Sequence, residues 1–86
     1  MKSDFLIVRH EPFSQTSTVW YMGENQQASI PISSDLSTLA ESITIVADRF
    51  NTYSVKLDAD PAIVEEIKLQ LTTTNYSKEK INIEGM

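Results

Sequence analysis

The first third of the chain holds three short apolar or alternating runs, which predict three β-strands. An apolar run covers residues 4–9, a β-branched and aromatic run covers 16–22, and an alternating run covers 27–32. A glycine-containing turn signal at 23–25 joins the second and third runs into a hairpin. Because Pro31 has no backbone N–H to donate, we expect the third strand at an edge of the sheet.

A helical pattern follows the hairpin. Apolar residues recur at steps of three and four across residues 36–50, which predicts an amphipathic helix. Ser33 and Ser34 precede it and are expected to cap its N-terminus with their hydroxyl groups. Asp35 is then expected in the first turn, where the helix dipole favours an acidic side chain.

The last third of the chain predicts a strand, a second helix and a final strand. Period-two alternation over residues 53–57 indicates a fourth strand. Asp60 followed by Pro61 is typical of an N-cap and a first helical position, and we expect that helix to run to about Thr72. Residues 80–84 alternate again and predict the last strand.

The order β-β-β-α-β-α-β predicts one domain over residues 1–86, an α+β fold with a single mixed sheet and two helices packed on it. This order resembles that of the ribonuclease H-like superfamily, whose core begins with three antiparallel strands and continues α-β-α-β. The resemblance covers essentially the whole chain and is one of topology, without a sequence motif. It implies that the first and fourth strands are adjacent and parallel. Another α+β sheet with the same element order is the alternative.

The resemblance also implies which carboxylates would hold metal ions. In nucleases of that superfamily, acids on the first strand, on the first helix and at the end of the fourth strand hold two metal ions around a phosphodiester. The candidates here are Glu11, Glu41 and Asp58. Arg9 and His10 occupy the stretch where the first-strand acid belongs, and a cation there opposes metal binding. We therefore expect no metal, no cofactor and no catalytic residue, with a degenerate metal-dependent nuclease as the alternative.

A second resemblance concerns the only histidine. Residues 6–11 are similar to the opening strand of histidine phosphatases, in which an Arg-His-Gly supplies the phosphoryl acceptor. Here Glu11 replaces the glycine and no second histidine exists to complete a pocket. We expect His10 to be a surface residue at the end of the strand. No serine is expected to pair with it as a nucleophile, so the sequence predicts a protein that is not an enzyme.

Charge and composition narrow the function further. Twelve acidic residues against seven basic ones give a net charge of −5, and the basic residues are scattered, which disfavours direct nucleic-acid binding. An acidic inhibitor that occupies a nucleic-acid site on another protein is a further hypothesis. The chain has no cysteine, and its apolar run at 5–8 is too short for a leader or a membrane helix. These features predict a cytoplasmic protein.

Aromatic residues on the second strand are the best candidates for recognition. Trp20 and Met22 share one face of that strand and Tyr21 takes the other, while Ile30 lies on the neighbouring strand. Because two helices cover only one face of a small sheet, one set is expected to stay exposed and to bind protein. The free edge of the third strand is a second possible contact.

These features together predict a small, acidic, non-catalytic interaction domain that binds another protein or a second copy of itself. Phage and mobile-element genes often encode proteins of this kind, and such an origin is one expectation.

Overall fold

A computed structural model describes residues 4–73 and 79–85. These residues form the predicted succession of elements, which confirms the α+β class and the order β-β-β-α-β-α-β. The elements are β1 (Phe5–Arg9), β2 (Thr16–Met22), β3 (Gln27–Ser33), α1 (Leu36–Phe50), β4 (Ser54–Asp58), α2 (Pro61–Thr73) and β5 (Asn82–Gly85). The second strand has the predicted bounds, and the last strand begins two residues later than predicted.

The five strands form one mixed sheet in the order β3-β2-β1-β4-β5. The pairs β1–β2 and β2–β3 are antiparallel, whereas β1–β4 and β4–β5 are parallel. The first and fourth strands are thus adjacent and parallel, as the topological resemblance implies. Within the described residues, β3 and β5 are the two edges of the sheet, so the edge position expected from Pro31 is confirmed.

Both helices lie on the same face of the sheet. Two successive crossovers, β3–α1–β4 and β4–α2–β5, run in the same direction across the sheet. Because such connections are right-handed as a rule, both deliver their helices to one side, where α1 and α2 contact each other. Every second residue of the central strands points toward the helices and is buried against the apolar faces of α1 and α2. The large apolar side chains with no exposed surface are Leu6, Val8, Val19, Leu39, Ile43, Leu57 and Ile67.

The N-terminus of α1 is capped differently from the prediction. Asp35 is itself the N-cap residue, and its Oδ1 accepts a hydrogen bond of 2.9 Å from the backbone N–H of Ser37. This bond favours the ionised carboxyl and lowers the pKa of Asp35. The hydroxyl of Ser33 accepts from the Asp35 N–H instead, and that of Ser34 bonds to Ser17. The expected serine caps are wrong because those hydroxyls have other partners.

The N-terminus of α2 follows the prediction. Asp60 Oδ1 accepts a hydrogen bond of 3.0 Å from the N–H of Ala62, and Pro61 is the first helical residue. Proline is tolerated there because its missing N–H has no partner within a helix. The helix ends at Thr73, one residue beyond the expected end.

Tyr53, which directly precedes β4, hydrogen-bonds to the last turn of α1, and we expect its pKa to lie above the ordinary tyrosine value. Its hydroxyl donates a hydrogen bond of 2.8 Å to Asp48 Oδ1, which favours the neutral phenol and raises the pKa of Tyr53 to about 12. The ordinary tyrosine value is about 10. Since the folded chain holds this proton more tightly than the unfolded chain, the stabilisation is complete below about pH 10 and is lost as pH rises to about 12.

Carbon NMR of ring-labelled tyrosine, with Tyr53→Phe used to assign the signal, measures this midpoint directly. Asp48→Asn removes the carboxylate and should bring the midpoint down toward 10. A wild-type Tyr53 that already titrates near 10 would contradict the prediction.

Candidate interaction face

The sheet face opposite the helices, here called the uncovered face, carries four large apolar side chains at its centre. Phe5 pairs with Met22 and Ile7 pairs with Trp20 in the β1–β2 register, so the four form two neighbouring cross-strand pairs. Each is half-buried, and none belongs to the core cluster beside the helices or packs against it. We call these four residues the apolar cluster.

Two cationic side chains lie against the aromatic rings of the apolar cluster. The guanidinium carbon of Arg9 is 5.6 Å from the Trp20 ring centroid, and Lys56 Nζ is 4.8 Å from that of Phe5. Both distances suit a cation–π contact, in which the positive charge interacts with the ring face. The aliphatic stems of such residues also shield apolar surface from water. The apolar cluster is therefore bordered by ordered positive charges.

Two carboxylates on the uncovered face balance these charges. Arg9 Nε is 3.4 Å from Asp58 Oδ2, and Glu84 stands beside Lys56 in the β4–β5 register. The Arg9 and Asp58 side chains are 58% and 48% exposed, so solvent weakens their attraction and the pair adds little to stability. Its effect is on the charge of the face, which carries two cations and two anions at its strand positions.

The structure separates the predicted recognition residues into two sets. Trp20 and Met22 belong to the uncovered face, whereas Tyr21 and Ile30 point toward the helices. Tyr21 is only 9% exposed, its hydroxyl donates to Asp4, and its ring stacks on Phe50 with centroids 4.5 Å apart. Tyr21 is thus a core residue and not part of an exposed contact surface.

The prediction that Ile30 belongs to the contact surface is wrong for the same reason. It pairs with Val19 in the β2–β3 register and packs against the core beside the helices. Sequence reasoning missed Phe5 and Ile7, the other half of the apolar cluster. The signal was present, since they alternate with the buried Leu6, but an apolar run without polar members does not show which face is covered.

The structure brings together two of the three carboxylates proposed for a nuclease site. Glu11 and Asp58 both line a cavity of about 600 Å³, where Asp58 also faces Arg9, whereas Glu41 is exposed on α1 and does not line it. Across residues 4–73 and 79–85, no group of three or more histidine, aspartate and glutamate side chains is arranged to hold a metal ion. The described carboxylates therefore do not form the cluster that two-metal chemistry needs.

His10 is not the surface residue that the sequence analysis expects. It is only 9% exposed, because its N–H extends the β1–β4 ladder by bonding to Asp58 O and its side chain points to the helix side like Val8. Its Nε2 lies 3.1 Å from the carbonyl oxygen of Ser34. Because a carbonyl oxygen only accepts, Nε2 donates to it and does not serve as the base for a serine hydroxyl in this arrangement.

Two serines complete a polar cluster around this histidine. Ser17 is fully buried, its Oγ is 2.6 Å from Ser34 Oγ, and it accepts a hydrogen bond of 3.0 Å from the N–H of Glu11. These three residues, His10, Ser17 and Ser34, are called the polar cluster. Its hydrogen bonds join the C-terminal end of β1 and the start of β2 to the segment that leads into α1. These hydrogen bonds hold separate segments of the fold together.

Comparisons with known proteins do not indicate a function for this chain. No protein-family model matches the sequence, and no curated protein matches it. Neither described helix combines the length and the apolar character that crossing a membrane requires.

Proposed function

We propose that this chain is a small non-catalytic protein-interaction domain whose uncovered face docks against a second copy of itself. The apolar cluster carries the proposal. Four large apolar side chains at the centre of a sheet, bordered by ordered charges, form the kind of patch that is characteristic of protein contact surfaces. Tryptophan, methionine and arginine are enriched in such surfaces.

The distribution of charge favours a second copy as the occupant. The strand positions of the uncovered face are balanced, whereas the whole chain has a net charge of −5. Exposed acids lie instead on the helical side, at Glu41 on α1 and at Glu65 and Glu66 on α2. Two copies that meet through their uncovered faces keep these helices on the outside of the dimer. Like-charge repulsion between the acidic surfaces is then smallest.

We also propose that the chain is a member of the ribonuclease H-like superfamily that lacks the catalytic carboxylates. The strand order β3-β2-β1-β4-β5 and the parallel β1–β4 pair support this assignment. The Arg9 guanidinium supports the loss of metal chemistry, because it neutralises Asp58 where a divalent ion would need that carboxylate. The net negative charge argues against direct nucleic-acid binding, and the cysteine-free composition favours the cytoplasm.

Sedimentation velocity over a wide range of protein concentration tests the dimer. We expect the wild type to shift from monomer to dimer as concentration rises, and Trp20→Thr/Met22→Thr to stay monomeric. Threonine keeps the β-propensity of the strand while removing two of the four apolar side chains. Circular dichroism and thermal unfolding of the double variant establish that it is folded.

Ile45→Gln is the matched control. Ile45 is 60% exposed on α1, so the substitution removes apolar surface from the opposite side of the molecule and should leave dimerisation intact. Raising the salt concentration should preserve or strengthen the dimer, because salt screens repulsion between the two acidic chains. A wild type that is monomeric at every concentration, or a double variant that dimerises equally well, refutes self-association.

A further inference from the structure

β3, one of the two edges of the sheet within the described residues, is long and uncharged for an edge strand. It covers seven residues, none of them charged, and its pairing with β2 is continuous over all seven, so it contains no bulge. Gln27, Ser29, Pro31 and Ser33 are all exposed, and no described strand pairs with the outer side of β3. A long, uncharged edge of this kind readily pairs with a strand of another chain unless something prevents it.

Two hydrogen bonds that flank the β2–β3 ladder show which way the backbone groups of β3 point. The Gly23 N–H donates to Gln26 O at one end, at 2.8 Å, and the Ser34 N–H donates to Gln15 O at the other, at 3.0 Å. In an antiparallel pair of strands, hydrogen-bonded and non-hydrogen-bonded positions alternate. Counting inward from either end in the observed register, Pro31 falls in a non-hydrogen-bonded pair. Its ring nitrogen therefore faces away from β2, toward the free edge.

Pro31 thus removes a hydrogen-bond donor from the free edge of β3 and none from its ladder with β2. Ser29 and Ser33 flank it on that edge, and their N–H groups point outward by the same alternation. An added strand would meet the pyrrolidine ring between them and would leave a carbonyl oxygen without its donor, which is unfavourable. The nearest acids along the chain, Glu24 and Asp35, lie beyond the two ends of the strand. Within β3, Pro31 is the one feature of the kind that protects sheet edges.

We propose that Pro31 closes the β3 edge to strand addition, and that a chain without it would join its β3 to the β3 of a second copy. Two copies related by a two-fold axis would pair these strands antiparallel and form one continuous sheet. The added strand would also cover Ile30 and Ile32, which are only partly buried where they pack against the core. In the wild type, the edge that the sequence offers as a second contact is then closed. The proposal is independent of dimerisation through the uncovered face.

Pro31→Thr tests the proposal, because threonine restores the missing N–H and favours a strand. Introduced into Trp20→Thr/Met22→Thr, here called the face variant, it allows sedimentation velocity to report association through the edge alone. We expect Pro31→Thr to shift the face variant from monomer to dimer as concentration rises, and higher salt to strengthen this association by screening repulsion between two acidic chains. Hydrogen exchange followed by NMR locates the contact. The amides of Ser29 and Ser33 should exchange rapidly in the face variant and become protected once Pro31→Thr is added.

Two controls make the result specific to the edge. Pro12→Thr makes the same chemical change at an exposed position between β1 and β2, and should leave the face variant monomeric. Adding Ser29→Lys to Pro31→Thr should restore the monomer, because a lysine on an edge strand also opposes pairing, whereas it would not repair a loss of stability. The proposal is overturned if Pro31→Thr leaves the face variant monomeric, if association leaves the Ser29 and Ser33 amides unprotected, or if Pro12→Thr associates equally. Dimerisation through the uncovered face is measured separately, on the wild type.

Discussion

Replacing Ile43 with alanine is expected to lower the free energy of unfolding by about 2–5 kcal/mol, the range for truncating a large side chain in a packed core. Ile43 is fully buried on the inner face of α1. A domain of this size has a total stability of only about 5–15 kcal/mol, so the loss approaches the whole of it in the least stable case. Urea unfolding followed by the fluorescence of Trp20, the single tryptophan, measures the change.

Ile45, two residues further along the same helix, provides the control. It is 60% exposed, so Ile45→Ala leaves no cavity and should change the free energy of unfolding by no more than about 0.5 kcal/mol. The two substitutions are chemically identical and differ only in the face of α1 that they alter. Equal losses at the two positions would mean that α1 packs on the sheet in another orientation.

The helices and strands could be predicted from the sequence for a simple physical reason. Each helix and strand here has a strong local signal, such as the regular apolar spacing of 36–50 or the Asp60–Pro61 start of α2. Such signals arise from the period of the backbone and from groups near in sequence, so they require no knowledge of tertiary contacts. The edge position of β3 could be predicted for the same reason, because Pro31 lacks an N–H.

The contact face could be predicted only in part. Alternation shows that Trp20 and Tyr21 point to opposite sides of β2, but which side the helices cover depends on the handedness of both crossovers and on the full sheet order. The place of Tyr21 and Ile30 beside the core, and that of Phe5 and Ile7 on the uncovered face, follow from that choice. These are tertiary facts that a single strand does not encode.

The burial of His10 could not be predicted from the sequence, for a different reason. Its position after β1 reads as a strand end, yet one further backbone bond to Asp58 continues the alternation and turns the ring inward. Its partner, the carbonyl of Ser34, lies 24 residues away in sequence. A contact between backbone and side chain over that distance leaves no periodic signal, and the carbonyl is present whatever the residue type.

Replacing Ser17 with alanine tests whether the polar cluster holds this end of the molecule together. The Ser17 hydroxyl is fully buried, accepts from the Glu11 N–H and lies 2.6 Å from Ser34 Oγ. Its removal leaves both of those groups without this partner, and we expect a loss of about 1–3 kcal/mol in the free energy of unfolding. Ser29→Ala, at an exposed position of β3, should cost no more than about 0.5 kcal/mol.

A double-mutant cycle separates the hydrogen bond from the loss of packing. If the two hydroxyls are partners, Ser17→Ala/Ser34→Ala should cost less than the sum of the single variants, because the second substitution removes a group that the first left unsatisfied. Strictly additive losses in urea unfolding would mean that the hydroxyls act independently. Coupling would instead establish that the start of β2 and the segment that leads into α1 are held together through these two hydroxyl groups.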